Sequence, residues 1–203
     1  VLYNTRDGVA TITINREALQ NTISGPMLDG LTELLLRADR DSEVRAIIIT
    51  GTGRFFCAGL DLRSGGSVGE NSGAANLDLR STPPTVLHAL DTPTICALNG
   101  SAAGYGMDLA LGCDIRIMSD KAKLSAAFTA RGVLPESGGT WILPRLLGWS
   151  KAAEIIFTGR TMLAEECLEL GLVSNVVSHE DVLAESQRLA REISANAPLA
   201  VQA

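Results

Sequence analysis

The chain of 203 residues has few of the residue types that build metal sites or disulfide scaffolds. It contains two histidines, His88 and His179, which leave little room for a metal cluster. Its four cysteines lie far apart in apolar contexts, so they match neither zinc-type pairs nor a disulfide framework. They are Cys57, Cys96, Cys113 and Cys167. We therefore expect buried free thiols, a reducing compartment and no bound metal.

Long apolar runs and an excess of positive charge are also missing. No run approaches the roughly 18 residues that a membrane-spanning helix requires, and no signal peptide is visible at Val1. The net charge is −6 and the Lys and Arg residues are scattered, which disfavours nucleic acid as a partner. We expect a cytoplasmic protein that binds neither membrane nor nucleic acid. Its hydrophobic content of 46% suits one domain with a buried core.

Two glycine-rich segments stand out, and each follows a short apolar run that is typical of a buried strand. Residues 56–62 come soon after the run at 46–50, and residues 99–108 come directly after the run at 94–98. Glycine at a strand exit lets the backbone turn sharply and brings its N–H groups close to a ligand. Two such loops can direct two amide donors at one oxygen, which is the construction of an oxyanion hole.

Taken alone, either segment is more often a plain turn than a ligand-binding loop. No Gly-Lys-Ser/Thr follows, so neither is a phosphate loop. The glycines at 100, 104 and 106 also have the wrong spacing for a dinucleotide fingerprint. The functional interpretation therefore depends on the combination of the two segments and on the sequence that follows them.

Strands alternating with helices predict an α/β fold. Alternating residues around Asp7-Gly8 predict an N-terminal hairpin, and Pro26 opens a helix with apolar residues at helical spacing. Further helices are predicted at residues 82–90, 105–111 and 179–195, and further strands at residues 114–118 and 173–177. Residues 64–80, rich in Gly, Ser and Asn, are predicted to form a mobile surface loop.

A series of motifs, in order along the chain, resembles the enoyl-CoA hydratase/isomerase (crotonase) family. They are Phe56-Cys57-Ala58-Gly59-Leu60-Asp61-Leu62, Asn99-Gly100-x-Ala102-x-Gly104-x-Gly106, Cys113-Asp114-Ile115-Arg116-Ile117, Gly132-Val133-Leu134-Pro135-Glu136-x-Gly138-Gly139-Thr140, Leu143-Pro144-Arg145-Leu146-x-Gly148, Thr158-Gly159-Arg160 and Glu165-Glu166-Cys167-x-x-x-Gly171-Leu172-Val173-x-x-Val176-Val177. The resemblance implies a crotonase-like spiral of β-β-α turns in one domain, residues 1–203. The spiral core would cover about 1–178, and a C-terminal helical segment, largely absent from this chain, would start at about 179–203.

The resemblance also implies the catalytic residues. It assigns the oxyanion donors to the backbone N–H groups of Leu60 and Tyr105, and proton transfer to Glu136. A glutamate at a helix start can instead be a surface helix-cap residue. Asp108 falls where hydratases of the family carry one of their two catalytic glutamates, yet a charge early in a helix is also favoured by the helix dipole. The position of the second hydratase glutamate is occupied by Phe128.

A hydratase positions water between two carboxylates, whereas a double-bond isomerase can work with one. Phe128 therefore favours isomerisation, or hydration by Asp108 and Glu136 in a rearranged site. The predicted enzyme acts on enoyl-CoA thioesters by 2-enoyl-CoA hydration or double-bond isomerisation through an enolate. Two alternatives stay open: hydrolysis or decarboxylation of a β-keto acyl-CoA, and a non-catalytic acyl-CoA-binding protein.

The substrate contacts are likewise implied by the resemblance. Four residues are expected to flank the adenine and pantetheine of coenzyme A, Tyr105 to bind the substrate, and two residues to line the acyl pocket. The first four are Ala58, Leu60, Asp61 and Leu62; the last two are Phe128 and Trp141, although core packing explains Trp141 equally well. No separate cofactor is expected, because coenzyme A arrives as part of the substrate. A homotrimer or hexamer is expected from the family alone.

Overall fold

The structure, a computed structural model, describes residues 1–61, 82–135 and 137–202. Its strands are β1 (Leu2–Arg6), β2 (Val9–Ile14), β3 (Ala46–Gly51), β4 (Phe55–Cys57), β5 (Thr94–Leu98), β6 (Ser101–Ala103), β7 (Ile115–Ser119), β8 (Lys123–Ser125), β9 (Thr161–Leu163) and β10 (Asn175–Val177). Its α-helices are α1 (Gly25–Arg40), α2 (Pro83–Leu87), α3 (Tyr105–Gly112), α4 (Gly139–Leu147), α5 (Trp149–Thr158), α6 (Ala164–Glu169), α7 (Val182–Ser194) and α8 (Pro198–Val201).

The larger of two sheets has the strand order β1-β2-β3-β5-β7-β10. Strands β1 and β2 form the predicted antiparallel hairpin around Asp7-Gly8, and the other neighbours pair in parallel. Parallel strands need crossover connections, which the helices provide. The predicted α/β class and the predicted helix after Pro26 are confirmed.

Alternation along the central strands divides the core between the two faces of this sheet. In β3, Ile47 and Ile49 belong to the main core, whereas Ile48 belongs to a second cluster with Val182 and Ala190 of α7. Because successive side chains of a strand point to opposite faces, a strand buried on both faces is apolar throughout. Burial on both faces explains why the sequences of β3 and β5 are short apolar runs that predict strands.

The smaller sheet, β4-β6-β8-β9, was not predicted, and it carries the site described below. Strands β4, β6 and β8 run parallel, and β9 closes the edge antiparallel to β8. Each of the four strands has three residues, which is too short for any period to show in the sequence. Residues 101–103, which the sequence analysis assigned to the second glycine-rich segment, form strand β6.

Some predicted boundaries shift for local reasons. The strand predicted at 173–177 starts at Asn175, because the Val173 N–H donates to the Cys167 carbonyl and closes the end of α6 instead. The helix predicted at 179–195 begins with a 3₁₀ turn, His179–Asp181, before α7. The loop predicted at 64–80 lies outside the described residues. None of the helices in the described part of the chain is long and apolar enough to cross a membrane.

The N-terminus of α3 packs directly on the end of β4, and a pair of glycine variants tests this contact. A Cβ added at Gly106 would overlap the carbonyl oxygen of Cys57, so Gly106→Ala is expected to destabilise the fold by about 1–3 kcal/mol. In the middle of α1, a Cβ added at Gly30 meets nothing within 4 Å. Gly30→Ala is therefore expected to stabilise by about 0.5–1 kcal/mol. Urea denaturation measures the free energy of unfolding of both variants. Equal changes in the two would contradict the close packing at Gly106.

Candidate active site

A cavity of about 450 Å³ lies where β4, β6 and β8 end. This volume is in the range of about 300–1,000 Å³ that is usual for small-molecule sites. Its walls come from the 3₁₀ segment after β2, from both glycine-rich segments and from the chain after β8. The lining residues are Ala18, Leu19, Gln20, Thr22, Ala58, Gly59, Leu60, Asp61, Ala103, Gly104, Tyr105, Ala127, Phe128, Arg131 and Val133.

The Leu60 N–H points away from the segment that packs behind the first glycine loop. The Gly59 carbonyl accepts a hydrogen bond from the Ile23 N–H at 2.9 Å. Since a trans peptide unit directs its C=O and N–H in opposite directions, the Leu60 N–H faces the side opposite Ile23. Gly59 adopts φ +110°, a backbone conformation that side chains other than glycine's rarely tolerate. This glycine therefore sets the direction of the amide that follows it.

The Tyr105 N–H is the first amide of α3. The carbonyl of Gly104, in the same peptide unit, accepts the helical hydrogen bond from the Asp108 N–H at 3.1 Å. The Tyr105 N–H therefore points in the opposite direction, out of the N-terminal end of the helix. A helix N-terminus carries partial positive charge, which favours an anion at this position.

The two loops lie against each other. A Cβ added at Gly59 would be 3.1 Å from the carbonyl oxygen of Ala103, the residue before the second loop turns into α3. Gly106 of α3 packs against the Cys57 carbonyl at the end of β4. Both Leu60 and Tyr105 line the same cavity. The structure thus brings together the two residues whose N–H groups the sequence proposed as oxyanion donors.

A partly buried ion pair anchors the first glycine loop. Arg16 Nη1 lies 2.7 Å from Asp61 Oδ2, and the Asp61 side chain is 8% exposed. The same guanidinium nitrogen donates to the carbonyl of Thr22 at 3.1 Å. The ion pair therefore fastens the first glycine loop to the segment between β2 and α1, which also lines the cavity. A carboxylate held in this way is a structural contact of the loop and a poor candidate for proton transfer.

Asn21, which sequence reasoning missed, connects the segment between β2 and α1 to the chain that leads into β4. Its side chain is fully buried and donates from Nδ2 to the carbonyls of Thr52 and Phe55 at 2.9 and 2.7 Å. Its Oδ1 accepts from the Arg16 N–H at 2.8 Å. Such contacts join residues distant in sequence and leave no local pattern. Arg131, which lines the cavity from the chain after β8, was missed for the same reason.

Asp108 is fully buried and joins α3 to the start of α4. Its Oδ2 accepts from the Ser137 hydroxyl at 3.0 Å and from the Gly139 N–H at 3.1 Å. The second donor is the first amide of α4, where a carboxylate also interacts favourably with the helix dipole. Asp108 does not belong to the cavity lining given above. These contacts make Asp108 an acceptor at the start of α4, an arrangement that neither of its sequence interpretations included.

The remaining predicted site residues fall into three groups. Ala58 and Phe128 line the cavity, and the Phe128 side chain, 4% exposed, forms an apolar part of its wall. Trp141 lies outside the lining and is 53% exposed, with the Arg145 guanidinium 3.8 Å from its ring centroid. Leu62 and Glu136 lie outside the described residues.

The cysteines are free and buried in the described structure, as expected from their apolar contexts. Burial raises the pKa of the Cys57 thiol, at the end of β4, to about 12. A thiol with this pKa stays protonated at neutral pH and is a weak nucleophile. Cys57 therefore supports the loop by packing, and covalent catalysis at this residue is disfavoured.

Comparison with known proteins decides the family. Residues 4–203 match the family model described as enoyl-CoA hydratase/isomerase. The chain belongs to this family. The 1,2-epoxyphenylacetyl-CoA isomerase of Escherichia coli K12 is 39% identical over 199 residues, covering 96% of this chain and 76% of the relative. The short-chain-enoyl-CoA hydratase of Clostridium acetobutylicum is 34% identical over 203 residues, covering 100% of this chain and 78% of the relative.

A solved structure of the same family agrees with the fold. The crystal structure of an enoyl-CoA hydratase from Bacillus anthracis superposes with a TM-score of 0.91 at 34% identity, covering 99% of this chain and 79% of that chain. The predictions of crotonase-family membership, of the fold class and of a hydratase/isomerase enzyme are confirmed.

Proposed function

We propose that this hydratase/isomerase moves a proton at the α-carbon of an enoyl-CoA thioester, with the enolate oxygen held by the N–H groups of Leu60 and Tyr105. The observation that carries the proposal is the direction of these two peptide units beside one cavity. The relatives above are named for reactions of CoA thioesters, which supports coenzyme A as the carrier of the substrate. No other cofactor is required by this chemistry.

The chemistry follows from where charge develops. Removing the α-proton of a thioester shifts negative charge onto the carbonyl oxygen, so donors aimed at this oxygen lower the barrier. Each backbone donor of this kind contributes about 3 kcal/mol. Tyr105 adds the positive potential of the α3 N-terminus at the same point. Because main-chain atoms make these contacts, the leucine and tyrosine side chains are compatible with the role.

Among the two reactions, we propose double-bond isomerisation ahead of hydration. Hydration requires two carboxylates around one water, but Asp61 pairs with Arg16, and Asp108 bonds to Ser137 and Gly139. Phe128 provides an apolar wall where hydratases of the family are expected to carry a glutamate. Glu136, proposed from the sequence as the proton-transferring group, suffices alone for isomerisation, since one carboxylate can remove a proton and return it to another carbon.

The assay that tests this proposal follows the absorbance of the conjugated thioester with a 2-enoyl-CoA and, separately, a 3-enoyl-CoA. An increase in this absorbance with the 3-enoyl-CoA, and no change with the 2-enoyl-CoA, supports isomerisation by one carboxylate. A decrease in absorbance with the 2-enoyl-CoA supports hydration and overturns the preference for isomerisation. No reaction with either substrate, or with 1,2-epoxyphenylacetyl-CoA, contradicts the proposed reaction. It favours hydrolysis or decarboxylation of a β-keto acyl-CoA, or binding without catalysis.

The resemblance to the family also supports a homotrimer, or a hexamer of two trimers, as the proposed assembly. Size-exclusion chromatography with light scattering measures the mass directly, and a monomeric peak at assay concentration would contradict this proposal.

A further inference from the structure

A second cavity, of about 510 Å³, lies at the other end of the small sheet. Its lining consists of Arg54, Phe55, Asn99, Gly100, Ser101, Lys121, Lys123 and His179. Strands β4, β6 and β8 begin at Phe55, Ser101 and Lys123, so the cavity is built at their amino ends. The candidate active site is built at their carboxyl ends.

The two cavities are separate because they lie at opposite ends of the same short strands. In β6, Ser101 lines the second cavity and Ala103 lines the first. Two residues of extended chain span about 7 Å. The second cavity is therefore close to the candidate active site but faces a different surface.

Positive charge is concentrated at the second cavity although the chain as a whole carries −6. Arg54, Lys121 and Lys123 supply three cationic side chains. Lys121 has one exposed carboxylate neighbour, Glu180, at 3.6 Å. In the described ranges, no carboxylate forms an ion pair with Arg54 or Lys123. Arg54 and Lys123 therefore leave two cationic groups available at the cavity, and such a local concentration of positive charge favours an anion.

His179 adds a directed hydrogen-bonding group. Its Nδ1 lies 2.8 Å from the carbonyl oxygen of Asn99. Since a carbonyl only accepts, Nδ1 carries the proton, and Nε2 is left as an acceptor in the neutral ring or a second donor in the protonated ring. Asn99 is held in turn, because its Oδ1 accepts from the Gly51 N–H at 3.0 Å and its Nδ2 donates to the Gly53 carbonyl at 2.9 Å. The imidazole is therefore fixed by a rigid turn.

We propose that this second cavity binds a small phosphate-bearing molecule, with the phosphate held by Arg54, Lys123 and His179. Guanidinium and ammonium groups bind phosphate through charge-assisted hydrogen bonds, and arginine can do so with two donors at once. The Ser101 side chain offers a neutral donor at the same wall. The cavity volume exceeds the needs of phosphate alone, and half-buried Phe55 offers an apolar surface to a ring attached to it.

Isothermal titration calorimetry with inorganic phosphate and with adenosine 5′-monophosphate tests this proposal. At least one of them is expected to bind the wild-type chain with a Kd of about 1 mM or tighter. Tighter binding of the nucleotide would identify a nucleoside phosphate as the ligand class, and equal affinities would identify the phosphate group alone. Both results support the site. No heat from either titration overturns it.

Charge-matched variants locate the binding. Arg54→Gln with Lys123→Gln is expected to weaken binding at least about tenfold. Arg40→Gln with Arg191→Gln removes the same charge from exposed positions that line neither cavity, and is expected to leave the affinity unchanged. Equal losses in both variants would reduce the effect to net charge and overturn the proposal.

A second readout separates this cavity from the coenzyme A site. The KM for enoyl-CoA is expected to stay within about twofold in the Arg54/Lys123 variant, because both positions lie at the opposite end of the strands. A KM that rises in parallel with the phosphate Kd would make the cavity part of the substrate site and overturn its separate role. Both side chains are exposed, so the variant should fold; Lys123→Arg, which keeps the charge, should retain binding.

Discussion

Replacing Glu136 with Gln is expected to lower kcat at least about 100-fold while the affinity for an acyl-CoA stays unchanged. Glutamine keeps the size of the side chain and its hydrogen-bonding atoms but cannot take up the α-proton. A group that acts only in proton transfer affects the transition state more than the bound ground state, so the loss falls on kcat and not on KM. Single-turnover kinetics with a 3-enoyl-CoA measure the first quantity, and calorimetry with acetyl-CoA measures the second.

The chain provides a matched control in Glu33, an exposed residue of α1 that lines neither cavity. Glu33→Gln makes the same chemical change and is expected to leave both quantities unchanged. If Glu136→Gln keeps wild-type kcat, another group transfers the proton and the proposed mechanism fails. If it weakens acetyl-CoA binding and turnover by the same factor, Glu136 is a binding residue and not the proton-transferring group.

The strands that could be predicted from the sequence are the longer ones. Strands β3 and β5 are mostly apolar because both of their faces are buried, and such runs are readily recognised in a sequence. The hairpin at Asp7-Gly8 was visible from its turn residues. The small sheet was not, since three-residue strands have no measurable period and gain their stability from neighbours far along the chain.

The site was predictable to the extent that it consists of backbone. Gly59 and Gly104 reveal where the chain turns, and the resemblance indicated which amides follow those turns. The contacts that hold the loops were not predictable. Arg16 with Asp61, and Asn21 with Phe55, are pairs formed only by folding, and nothing in the sequence around Arg16 or Asn21 indicates their partners. Asp108 was visible as a candidate, but its hydrogen-bond partners, the Ser137 hydroxyl and the Gly139 N–H, were not.

Asp108 is expected to contribute to stability far more than to turnover. Asp108→Ala removes the acceptor of the Ser137 hydroxyl and of the Gly139 N–H at a fully buried position. Leaving such donors without a partner is expected to lower the free energy of unfolding by about 3 kcal/mol. Asp108→Asn keeps one carbonyl oxygen as an acceptor, so a smaller loss of about 2 kcal/mol is expected. Urea denaturation of the two variants measures this order.

The matched control is Asp29→Asn, an exposed position of α1, where a change within about 0.5 kcal/mol is expected. Turnover then distinguishes a catalytic role of Asp108 from a role in positioning α4. A cap acts through the position of α4, so Asp108→Asn should retain kcat within about threefold once the folded fraction is accounted for. A catalytic carboxylate predicts the reverse, a loss of at least about 100-fold with little change in stability. That reverse result would restore Asp108 as the partner of Glu136, and with it hydration as the reaction.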